Sequence, residues 1–297
     1  MKKYLLKILI LSFSVVLLTS ACNQKKERIE INAGDKKNEL KISTGLSEDI
    51  IKIFEKTPGI YESVQYIRKL NVPEIKDLTP LEKFETAASR EKKIMLFGML
   101  CVDAGYVAIA TKKIQIPEYL RLYDKFVSEL NLQPVINELK SQYLPEIQKN
   151  EFNLDLIEKL IEKWDNDKNE VDKIREERGV FIQKAKDFDE EFAVYYALGA
   201  IVEFHSILGK TIVQNDKNQI ISKIKNTFNN FDSANFLFIE LLCSLEELQY
   251  ADYAKKLLPV FELYQKQFIS DIPLTDQELK SYIKGFEEIR NDILTQK

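Results

Sequence analysis

The 297-residue chain carries 43 Lys and Arg against 47 Asp and Glu, a formal net charge of -4, with the two signs interspersed. A nucleic-acid-binding protein needs a basic face, and this balance supplies none. One His and three Cys supply few candidate ligands for a zinc centre, and nine Gly with eight Pro leave few turns, which favours long helices over a sandwich or barrel.

The N-terminus reads as a leader. Lys2, Lys3 and Lys7 precede an apolar stretch from Ile8 to Leu18, broken only by Ser12 and Ser14, and the small residues Thr19, Ser20 and Ala21 follow. This is the three-part layout of a secretory signal peptide, with an apolar core shorter than the ~20 residues a membrane span requires. Leu18-Thr19-Ser20-Ala21-Cys22 resembles the lipobox of bacterial lipoproteins, although Thr19 stands where that family usually has Leu. The resemblance implies that residues 1–21 are cut away and that the Cys22 sulfur receives a diacylglycerol. It also implies acylation of the new amino group, typically by palmitate. Several acyl chains give stable anchoring, since each buried methylene contributes about 0.8 kcal/mol. Asn23, rather than Asp, follows the cysteine, which by the enteric sorting rule resembles an outer-membrane destination, on the periplasmic or surface side. Loss of the leader removes three lysines and no acid, taking the net charge from -4 to about -7.

Residues 22–45 are polar and read as a flexible linker carrying the lipid. Residues 46–297 read as one helical domain. Ser47 caps a first helix through Lys56, and Thr57-Pro58-Gly59 ends it. A second helix spans Ile60 to Leu70, and Thr79-Pro80-Leu81-Glu82 starts a third, ending near Ala88. Ile94 to Ala110 is apolar on all sides except for Asp103, as a buried helix would be, and Gly98 and Gly105 share a face that another helix can approach closely.

Pro117 opens an amphipathic helix through Leu130, and another runs from Pro134 to about Lys149. Asn153 begins a long apolar-periodic segment interrupted by the polar run Asp165 to Glu170, which fits either a solvated helix surface or a loop. Asp187 or Asp189 caps a second all-round apolar helix, Phe192 to Val213, whose one acid is Glu203. Asn215-Asp216 makes a turn into a helix through Phe228. Further helices run from Asp232 to Leu248, from Tyr250 to Phe268, and from the capping box Thr275-Asp276-Gln277-Glu278 to Leu294. No segment alternates at period two for long enough to make a strand, and the count is about ten helices.

The expected fold is all-α, a bundle of antiparallel hairpins around two buried apolar helices. A weak echo relates two halves. Gly98 aligns with Gly199, and Leu120, Tyr123 and Val127 align with Ile221, Ile224 and Phe228. No 34-residue tetratricopeptide signature repeats. Cys101 and Cys243 lie in apolar runs and read as two free buried thiols in preference to one disulfide.

The stretches GMLCVDAGYVAIATKK and PEYLRLYDKFVSELNL, with Gly98, Asp103, Tyr106, Tyr119, Leu120, Leu130 and Leu132 at the matching positions, resemble a group of all-helical lipoproteins from Bacteroidetes. Gly199-Ala200-Ile201-Val202-Glu203 is a second matching stretch, lacking the second Gly and the Trp that the group often carries there. The resemblance covers residues 45 to 240. It implies an envelope location and a helical fold, and brings no activity with it.

Asp103 and Glu203 are the sharpest candidate site residues, each the lone acid of an apolar helix. A buried charge is costly unless paired. Either both face one cavity and bind a cation or cationic ligand, or each is satisfied by a Tyr, Lys or Arg between helices. Tyr106, three residues from Asp103, is positioned to be such a partner. His205 lies two residues from Glu203, on another face, which rules out the Glu-x-x-His pattern of di-iron bundles and reads as a core histidine. Tyr195, Tyr196, Phe236 and Phe238 are at core-like spacing, and the charged faces of the last two helices read as solvated surface. No phosphate loop and no Gly-x-Ser-x-Gly elbow is present. The sequence therefore assigns no catalytic residue, cofactor or metal. It leaves Asp103, Tyr106, Glu203 and His205 as a candidate ligand-binding set in a membrane-anchored protein. Its partners would be the membrane, through Cys22, and an unidentified protein or small molecule. The alternatives are a helical-repeat scaffold and an enzyme built around Asp103 and Glu203.

Overall fold

The computed structural model describes residues 70, 78, 80–85, 89–107, 116–134, 190–227, 239, 242–243, 251–269 and 272–295. The leader, Cys22, the linker and the expected helices before Leu70, at 135–149 and at 153–182 lie outside the described residues. So does most of the expected helix at 232–248. Within the described residues the protein is all-α, with no strand.

Of the expected third helix, the described residues hold the 3-10 turn Leu81–Glu85, which buries Phe84. The Ser89 hydroxyl accepts the Lys92 N–H at 3.2 Å and caps α1, Arg90–Tyr106. This cap begins the helix four residues before the apolar run that hydropathy marks. Every residue of α1 from Ile94 onward is buried.

The second helix, α2 (Ile116–Glu129), ends in a left-handed cap. Asn131 has φ of 56°, and the Leu132 N–H reaches back to the Val127 carbonyl at 2.9 Å. This closes the free carbonyls of the last turn, and Asn is among the few non-Gly side chains that tolerate that backbone region.

The long apolar helix α3 spans Glu190–Gln214. The caps expected at Asp187 or Asp189 fall outside the described residues. By length and apolarity, Val194–Gln214 is the one helix among the described residues that could cross a membrane, but most of it is buried inside the protein. An apolar helix with all its faces covered by other helices is a core helix. The turn at Asn215-Asp216 appears as expected. The Asp216 carboxylate accepts the Gln219 N–H at 3.0 Å and starts α4, Lys217–Thr227.

The helix α5 (Ala251–Tyr264) runs on into a single π turn, Gln265–Ile269. The last helix, α6 (Asp276–Leu294), carries the complete capping box. Thr275 Oγ1 accepts the Glu278 N–H at 3.2 Å, and Glu278 accepts the Thr275 N–H at 2.9 Å. Its C-terminus is closed from elsewhere in the fold, where Lys92 Nζ donates to the carbonyls of Asp292 (2.8 Å) and Thr295 (3.0 Å). A lysine at that end also complements the helix dipole.

The contact of α1 with α3 is the centre of the molecule. A Cβ on Gly98 would overlap the carbonyl oxygen of Tyr196, and a Cβ on Gly199 would overlap the backbone of Met95. Each glycine thus lies over the carbonyl three residues before the other, a reciprocal arrangement that matches the alignment of Gly98 with Gly199. With Asp103 beside Glu203 further along, these pairs advance together, so α1 and α3 run in the same direction. The neighbours α2 and α6 run the opposite way. Lys93 pairs with Glu129 and Phe97 packs on Tyr123, while Glu203 pairs with Arg290 and Lys217 with Asp276. Outside α6 lies α5, again antiparallel to it, with Lys256 paired to Asp292 and Tyr264 packed on Tyr282.

Among the described residues Cys101 and Cys243 are not joined in a disulfide; Cys101 is buried as expected, whereas Cys243 is only half-buried.

Candidate functional site

The two acids that the sequence singled out come together. Asp103, one turn from the end of α1, and Glu203, one turn beyond Gly199 on α3, meet where both helices pack against α6. Both are 0 % exposed, and Arg290 of α6 is 8 % exposed. Close approach at the two glycines brings the acids into reach of one another.

Glu203 is fully met. Arg290 Nε donates to Oε2 at 2.7 Å and Nη2 donates to Oε1 at 3.0 Å, a two-pronged ion pair. Burial works against the charge on Arg290, and the Glu203 carboxylate outweighs it, holding the guanidinium above its ordinary value. Asp103 is in the opposite position. Among the described residues, no donor meets either of its carboxyl oxygens. Burial first, and the Glu203 charge second, hold its pKa well above the usual carboxylate range, against the weaker pull of Arg290 and Lys210. The site thus sets two buried carboxyls against one guanidinium, and the upward push on Asp103 works against an uncompensated buried charge.

Two further groups border the cluster. Tyr119 of α2 is buried, and its hydroxyl is pushed up by burial and by the charges of Asp103 and Glu203. Lys210, two turns beyond Glu203 on α3, has its ammonium lowered by burial and by Arg290. Tyr106 is buried as well, but no hydrogen bond joins it to Asp103, so it is not the partner that the spacing suggested.

His205 belongs to a separate cluster. It stacks on Phe286 at 4.6 Å between centroids, with Phe204, Phe261 and Tyr264 edge-on around it. Its Nδ1 lies 3.0 Å from the Tyr282 hydroxyl. This is a core histidine enclosed by rings, on a different face from Glu203, and the structure does not bring it to the acids. Tyr195 and Tyr196 are buried packing residues, and Phe236 and Phe238 lie outside the described residues.

Arg290 is the residue that the sequence reading passed over as ordinary surface. Its signal was present, because Tyr282, Phe286 and Arg290 follow one another at i+4 on the buried stripe of α6. An arginine in an otherwise apolar stripe must find a buried acid, and Glu203 is that acid. Among the described residues no group of three or more His, Cys, Asp or Glu is arranged to hold a metal ion.

No protein family, curated protein or solved structure matches the chain.

Proposed function

We propose that this protein is a lipid-tethered helical domain of the bacterial envelope that acts by binding a partner, not by catalysis. The observation that carries the reading is the leader, with Cys22 directly after Thr19-Ser20-Ala21. In this reading acyl chains on Cys22 hold the domain at the outer membrane, and the polar segment 22–45 gives it reach. The buried acids support the binding half of the proposal. Asp103 and Glu203 are wholly covered, so a substrate has no contact with either while the helices stay packed. A protein partner meeting the exterior of the domain fits better than a small molecule held between α1 and α3. A second reading, a helical scaffold in an envelope complex, draws on the same-sense packing of α1 and α3, each followed by an amphipathic helix.

The test is fractionation. The native protein pellets with membranes, and Cys22→Ser moves it to the soluble fraction. Mass spectrometry of the native protein should show Cys22 as the first residue, carrying a diacylglycerol on its sulfur and an acyl chain on its amino group. A retained leader or an unmodified thiol overturns the reading.

A further inference from the structure

We draw no further inference here: the strongest candidate, the carboxyl pair of Asp103 and Glu203 buried where α1, α3 and α6 meet, belongs to the site already described, and nothing among the described residues identifies a ligand for it.

Discussion

Glu203 and Arg290 hold each other in place at the inner end of the α3–α6 seam, and neither can be removed alone without stranding the other. Truncating one member of a buried pair leaves an uncompensated charge and typically costs about 3–5 kcal/mol. We therefore expect Arg290→Met to lower the unfolding free energy by roughly that amount in urea titrations. Adding Glu203→Met should recover much of the loss, since methionine is apolar and of similar volume and the charge penalty goes with the pair. If the double variant is no more stable than Arg290→Met, Arg290 stabilises the core by packing its stem and not by pairing. This partnership was only half legible in the sequence. Glu203 stood out as a lone acid in an apolar helix, but Arg290 is 87 positions away, and nothing local links the two. The same is true of Asp103, whose nearest same-face tyrosine was the obvious partner by spacing. The group beside it is instead a tertiary neighbour, Glu203, whose charge opposes ionisation of Asp103.

Among the elements, the two core helices and the last helix were the most readable, because their signals are local. An unbroken apolar run has to be buried, and Thr275 with Glu278 satisfies the first amides of α6 whatever the rest of the chain does. Boundaries were less legible where a cap overrides hydropathy. Ser89 starts α1 on four polar or charged residues, Arg90 to Lys93, which hydropathy assigns to a loop. Lys92, one of these four, reaches the end of α6, a tertiary contact that no pattern within α1 announces. The glycine crossing gives the clearest test at this scale. In an exposed helix, Gly→Ala gains about 1 kcal/mol from propensity. At Gly98 or Gly199 the new methyl would meet backbone, which cannot rotate away, so the two helices must separate. We expect each substitution to destabilise by about 3 kcal/mol or more in thermal or urea unfolding. A neutral or stabilising result for both would mean that the helices do not approach this closely.

For the whole molecule, the order of the helices along the chain differs from their order in space. The core pair α1 and α3 lies side by side although Gly98 and Gly199 are 101 positions apart. Two helices running in the same direction cannot be joined by a tight turn, so the chain must return along the molecule before α3 can begin. The α1–α2 hairpin consequently has no partner for the α3-facing side of α1. A fragment ending at residue 189 should fail to fold cooperatively, giving no sigmoidal urea transition by circular dichroism, whereas the full chain should show one. A cooperative transition in the fragment would mean that the first half has a self-sufficient core.

The same geometry bears on biogenesis. At roughly 5–20 residues per second, the ribosome needs about 5–20 s after finishing α1 to complete the helix that covers it. Throughout that interval a greasy, glycine-notched surface is exposed on the nascent polypeptide. Folding of this protein should therefore depend on holdase chaperones that shield such surfaces until the later helix arrives.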